Sequence, residues 1–147
     1  LQTTHLRQLS QVAKRRKKLR VLLLEDSPVN ALLVKTILTK AGHESKLATT
    51  GQAALDLLAA DRNFDVILSD LELPDMDGYT VARAIRAREQ EENLPALRIL
   101  ALTANTGSGV IAACAASGMN GHLAKPFERA DLEEALATVT KAKAKAA

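Results

Sequence analysis

The sequence predicts an α/β fold: a parallel sheet with helices on both faces. Two observations carry this. Five short apolar runs alternate with five longer segments of helical character, the pattern of a chain that returns to a parallel sheet through crossover helices. The composition agrees, because 47% hydrophobic residues with only 2% aromatics means a core of Leu, Ala, Val and Ile, which suits helices on a sheet better than an aromatic-rich β sandwich. At 147 residues the chain is long enough for one real core and too short for two ordinary ones.

"RVLLLED" at 20–26 is the first strand, apolar without interruption as strands covered on both faces are. "SPVNALLVKTILTKAG" then starts a helix at Ser27-Pro28 and stops it at Gly42. "HESKLAT" is a weaker second strand, and "GQAALDLLAADRN" a second helix. "FDVILSD" at 64–70 is the third strand, and "GYTVARAIRAREQEEN" a helix with an outer charged face. "LRILALTAN" is the fourth strand, "GVIAACAASG" a short helix, and "GHLAKP" the fifth strand. "RADLEEALATVTKAKAKAA" closes the chain as a helix with a lysine-rich fraying end. Before the fourth helix, "NTGSGVI" at 105–111 contains two glycines and other poor helix formers, so this first turn is expected to be the most mobile ordered part of the domain.

Three regions follow: a basic helical linker or arm at 1–19, the domain at 20–140 and a lysine- and alanine-rich tail at 141–147. Residues 1–20 carry Arg7, Lys14, Arg15, Arg16, Lys17, Lys18 and Arg20 with no acid, and subtracting these seven from the overall +3 leaves −4 for the remainder. Such an arm reads as a solvated linker in preference to a nucleic-acid or lipid-binding surface. Leu6, Leu9 and Val12 would form one apolar edge of a connecting helix, and a start at Leu1 within that helix suggests a fragment of a longer protein. Cys114 is the one cysteine, so no internal disulfide forms and a small buried hydrophobe in a reducing cytoplasm is expected. No apolar run approaches the roughly 20 residues that span a bilayer, so no membrane contact by the domain is expected, although a membrane-attached parent protein stays open.

"DLELPDMDG" at 70–78 crowds four acids into nine residues. A calcium loop with Gly78 at its sixth place would need ligands at Leu73 and Ala84, which fails at both ends. The strand ends explain the acids better. In parallel sheets the ligand lies beyond the carboxyl ends of the strands, and there the sequence puts Glu25 and Asp26, Asp70, Thr103, and Lys125 before Pro126. Three close carboxylates repel unless a cation sits among them, and a few oxygen ligands suit Mg²⁺. The lysine and hydroxyl could hold phosphoryl oxygens, and an aspartate beside a metal can be the nucleophile.

This constellation resembles the receiver domain of two-component response regulators over about residues 20 to 140. The carrying pieces are "LLLEDSPVN", "VILSDLELPDMDG", "LALTAN" and "GHLAKPF", in the family's order and spacing. The resemblance implies a flavodoxin-like sheet of order 2-1-3-4-5. It implies Asp70 as phosphoacceptor; Glu25, Asp26, Asp70 and the backbone carbonyl of Glu72 around Mg²⁺; Thr103 as the hydroxyl that follows the phosphoryl group; and Lys125 as its ion-pair partner. It also implies a cis Lys125-Pro126 bond, against a base rate of about 5–6%. Asn30 and "TAN" at 103–105 are most similar to receivers of hybrid histidine kinases. The implied partner is a histidine kinase or histidine phosphotransfer domain that supplies a phosphohistidine, and the module catalyses its own phosphotransfer and dephosphorylation. In place of the family's usual switch aromatic, three residues before the lysine, stands His122.

Glu72 and Asn105 could position or exclude the water that hydrolyses an acyl phosphate, whereas Asp75 and Asp77 read as loop solvation and turn formation before Gly78. His5, His43 and His122 lack metal-ligand spacing. With no output domain in the chain, the expectation is the C-terminal receiver of a hybrid kinase, the alternative a stand-alone response regulator. A hydrolase of the haloacid dehalogenase type would want a second Asp two residues after the nucleophile, where Glu72 stands. A binding module without phosphorylation is disfavoured by the complete acid, hydroxyl and lysine set.

Overall fold

The computed structural model describes residues 18–146, with side chains described to Thr138. The expected basic arm lies outside these residues except for Lys18 and Leu19. Leu19 is buried in the core, and its N–H donates to His43 Nδ1 at 2.9 Å.

Five strands, β1 (Arg20–Leu24), β2 (Glu44–Ala48), β3 (Val66–Asp70), β4 (Arg98–Thr103) and β5 (Gly121–Ala124), alternate with five helices. These are α1 (Pro28–Lys40), α2 (Gly51–Ala60), α3 (Gly78–Glu91), α4 (Ser108–Ala116) and α5 (Arg129–Ala146). All strand pairings are parallel and the order is β2-β1-β3-β4-β5, the flavodoxin-like order. The helical backbone of α5 runs on through residues 141–146, the segment set apart above as a tail.

The strand alternation divides the core in two. Val21, Leu23, Leu68 and Leu102 meet Val34 and Leu38 of α1 and Leu132 and Leu136 of α5 on one face. Leu22, Leu24, Ile67 and Ala101 meet α2, α3 and α4 on the other, where Cys114 is buried. Burial of each such leucine contributes about 1.5–3 kcal/mol, so β1 and β3 form a stiff centre whose carboxyl ends hold position.

Local chemistry ends the helices where the site needs them ended. Ser27 caps α1 and precedes Pro28 in its first turn, so the chain turns away immediately after Asp26. At the far end of α1, Gly42 adopts φ 88° and its neighbour His43 donates to the Leu38 carbonyl at 2.9 Å, a glycine-type stop. Thr50 caps α2 and Asp77 caps α3 through side-chain acceptance from Ala53 and Thr80 N–H. Gly107 caps α4 with no side-chain hydrogen bond, so this helix begins with the weakest of these starts. Lys125-Pro126 is cis. Among the described residues no helix is long and apolar enough to cross a membrane.

Candidate functional site

The carboxyl ends of β1, β3, β4 and β5 converge as the sequence pattern expected. Glu25 follows β1 and is 1% exposed, its backbone tied to the neighbouring strand through Glu25 N–H to Ala48 O at 3.1 Å. Asp26, next in the chain, is exposed. Asp70 is the last residue of β3. Lys125, just beyond β5, has its N–H on the Thr103 carbonyl at 2.8 Å. Its ammonium bridges two of the acids, 3.0 Å from Glu25 Oε1 and 3.1 Å from Asp70 Oδ2. The Asp70 side chain is 15% exposed, enough to be approached from outside.

These charges set one another. Glu25 is pushed above the usual carboxyl range first by burial and then by Asp70, with Lys125 pulling the other way. For Asp70, burial acts upward but is outweighed by the adjoining Glu25 side chain, the hydrogen bond from the Glu72 N–H and Lys125, so the group lies below its ordinary value. Lys125 loses hydration on burial, yet its bonds to Glu25 and Asp70 raise it on balance. At neutral pH an ionised Asp70 therefore faces a charged lysine, and of this pair of acids Glu25 is the more ready to carry a proton.

One atom in this cluster is unfinished. Glu25 Oε2 is buried with no hydrogen-bond partner, a costly state for a carboxylate oxygen. Glu25, Asp26 and Asp70 each offer an oxygen, all within 4.8 Å of one another. A divalent cation accepted by hard oxygen donors would complete that orphaned atom and offset the repulsion among the acids, so these residues fit Mg²⁺.

Thr103 is buried at the end of β4. Its hydroxyl is turned toward the β4–α4 loop, donating to the Asn105 carbonyl at 2.9 Å and accepting from the Asn105 N–H at 3.0 Å. Asn105 is exposed, and its Oδ1 accepts from Gly107 N–H at 2.9 Å. Glu72 is exposed, and its N–H donates to Asp70 Oδ1 at 3.0 Å. His122 is exposed on β5.

The profile of the family described as "Response regulator receiver domain" matches residues 21–137. This chain belongs to the response regulator receiver family. Among its relatives is the sensor protein GacS of Pseudomonas syringae, 38% identical over 115 residues that make up 78% of this chain and 13% of GacS. The receiver domain of the sensor histidine kinase PA1611 of Pseudomonas aeruginosa, solved with a magnesium ion coordinated in its active-site cleft, is 40% identical with a TM-score of 0.70, covering 82% of this chain and 95% of that one. The Saccharomyces cerevisiae receiver domain of Ssk1, solved with the histidine phosphotransfer protein Ypd1, is 30% identical with a TM-score of 0.74, covering 79% and 84%. The chain spans only a small fraction, 6% and 13%, of the length of the first curated relatives it matches. It is thus a receiver domain of two-component phosphorelay signalling.

Within this receiver the β3–α3 loop differs from its reading in the sequence. Asp75 does not merely solvate the loop: Gly51 and Gln52 N–H donate to its two carboxylate oxygens at 2.8 Å each. Asp77 caps α3 by accepting from Thr80 N–H at 2.7 Å. The Asp77 cap is readable in sequence, because Asp before a helical segment is a strong cap signal. The Asp75 contact spans 24 and 23 residues and leaves no local signature. Gly78 is required by close approach, since a Cβ there would lie 2.6 Å from the Asp70 carbonyl oxygen and 2.9 Å from Leu71 Cα.

Proposed function

We propose that this receiver accepts a phosphoryl group on Asp70 from the phosphohistidine of a histidine kinase or histidine phosphotransfer partner, and that it is the receiver of a hybrid histidine kinase. The observation that carries the reading is the Asp70 carboxylate at the mouth of the crevice, paired with Lys125 while a buried oxygen of Glu25 stands unsatisfied beside it. An oxygen of Asp70 attacks phosphorus as the bond to the imidazole nitrogen breaks, and the electron pair of that bond returns to the imidazole. Lys125, charged and already on Asp70, pairs with the phosphoryl oxygens as they gather charge. Thr103 can exchange its Asn105 contacts for a phosphoryl oxygen. Glu25, Asp26, Asp70 and the Glu72 carbonyl would hold Mg²⁺, whose charge would offset that of the acids and of the incoming phosphoryl group. Glu72 and Asn105 would tune hydrolysis from the rim, and His122 would take the switch position.

The partner reading has support on the surface beside the site. Val29, Leu32 and Leu33 are 76%, 67% and 50% exposed and share one face of α1, at helical spacing. An apolar helical stripe next to the phosphoacceptor suits a helical phosphodonor. The likeness to GacS and to the PA1611 receiver supports a hybrid-kinase origin.

The test is transfer from a phosphorylated histidine phosphotransfer domain to the chain with Mg²⁺ present. Wild type should gain one hydroxylamine-labile phosphoryl group and Asp70→Asn none, since an amide is a poor nucleophile. Equal labelling of the variant would remove Asp70 from this role.

A further inference from the structure

The β3–α3 loop is anchored at both ends by its own chain: Glu72 N–H holds Asp70 Oδ1 at 3.0 Å, Glu72 and Asp77 form an isolated bridge, and Gly78 N–H holds the Leu71 carbonyl at 2.8 Å. Its middle is held by something else. Asp75 takes both of the first two N–H groups of α2, Gly51 at 2.8 Å and Gln52 at 2.8 Å. Met76 packs so closely on Gly51 that a Cβ there would meet Met76 Cγ at 2.5 Å. The α2 terminus already has its own cap, for Thr50 Oγ1 accepts from Ala53 N–H at 3.0 Å. Asp75 is thus a second acceptor on one helix start, brought there by the loop that follows the phosphoacceptor. A bidentate carboxylate on two helix N–H groups is a charge-assisted grip, favoured further by the helix dipole.

We propose that Asp75 is a positioning residue for the phosphoacceptor site: by clamping the 71–77 loop to α2 it fixes the Glu72 peptide, whose N–H orients Asp70 and whose carbonyl is assigned to the cation. The inference rests on the phosphoacceptor and Mg²⁺ reading above and deepens it. It gives this acid, two residues before the α3 cap, a part in the site without any contact with the reacting atoms.

The test compares two variants of the 147-residue chain that each remove one acceptor from the same helix terminus. Asp75→Ala cuts the clamp, whereas Thr50→Ala removes the ordinary cap and leaves the loop bonded. Both should lower the melting temperature. In a Mg²⁺ titration followed by amide chemical shifts, Asp75→Ala should bind about tenfold more weakly, and its Glu72 amide should exchange faster. Thr50→Ala should match wild type in both. Asp75→Asn, which keeps one oxygen and the side-chain shape, should fall between and serves if the alanine variant does not fold. Wild-type Mg²⁺ affinity and Glu72 exchange in both Asp75 variants would overturn the clamp, as would an equal loss of affinity in Thr50→Ala. A wild-type chain that binds no Mg²⁺ would instead contradict the metal assignment, and Glu72 amide exchange would still decide the clamp.

Discussion

Two buried carboxylates, Glu25 just after β1 and Glu89 on α3, differ in how they are satisfied. Glu89, on α3, is 6% exposed and complete. Its Oε1 accepts from Arg86 at 2.8 Å, and its Oε2 accepts from Arg62 at 3.1 Å and from Leu97 N–H at 2.9 Å. Arg86 also donates to Asn120 Oδ1, which accepts from Ile99 N–H, so the network ties the segment after α2, α3 and the approaches to β4 and β5 together. Glu25 shares one lysine with Asp70 and leaves Oε2 bare. A carboxylate whose every oxygen is met is part of the frame. One left short inside a crevice of like charge fits a cation.

The largest effect is expected at Glu89. Glu89→Ala would leave the Leu97 N–H without its acceptor and take the carboxylate from Arg62 and Arg86, and should cost about 3 kcal/mol, or roughly 10 °C in melting temperature, with Mg²⁺ affinity unchanged. Thermal unfolding beside a Mg²⁺ titration reads both. Glu25→Gln should do the reverse. It copies the neutral form that burial and Asp70 already favour, so stability should change by less than about 1 kcal/mol while Mg²⁺ binding weakens by at least about tenfold. Large destabilisation with intact Mg²⁺ binding would make Glu25 a frame residue like Glu89.

The smallest effect concerns His43, a half-buried titratable group beside Leu19. Its Nδ1 accepts from the Leu19 N–H at 2.9 Å, which requires the neutral ring. Burial lowers its proton affinity below the usual 6.5, and Glu133 of α5 pulls in the opposite direction. Because the folded value is depressed, the unfolded chain takes up protons first. Stability is thus full above 6.5 and is lost as pH falls through that value toward the folded one. Unfolding midpoints measured across this range should decline on the acid side, and His43→Gln, whose amide oxygen can accept from Leu19, should flatten that part of the profile. An unchanged slope would assign the acid loss to the carboxylates.

Much of this was legible in the sequence for a physical reason. A parallel sheet carries its chemistry where apolar runs end, so Glu25, Asp26, Asp70, Thr103 and Lys125 can be collected by reading the last residue of each run. Ser27-Pro28 and Gly42 mark α1 by local backbone preference. What stayed hidden depends on contacts between distant segments. Asp75 reaches α2 across a spacing that no periodicity records, the Thr103 hydroxyl faces Asn105 through a rotamer choice, and Leu19 proves to be core only because His43 and β2 lie beside it. The orphaned oxygen of Glu25 is of the same kind, since composition cannot say which atom of an acid goes unmet.

The proposed chemistry puts a phosphoryl group on one carboxylate of the crevice, Asp70. Chemical trapping reads it: the chain is incubated with a small phosphodonor, reduced with borohydride, which converts an acyl phosphate to an alcohol, and mapped by peptide mass spectrometry. The expected result is modification at Asp70 alone, dependent on Mg²⁺ and absent from Asp70→Asn. Modification at Glu25, Asp26 or any other acid in its place, or an equal yield at Asp70 with the metal chelated, would contradict it.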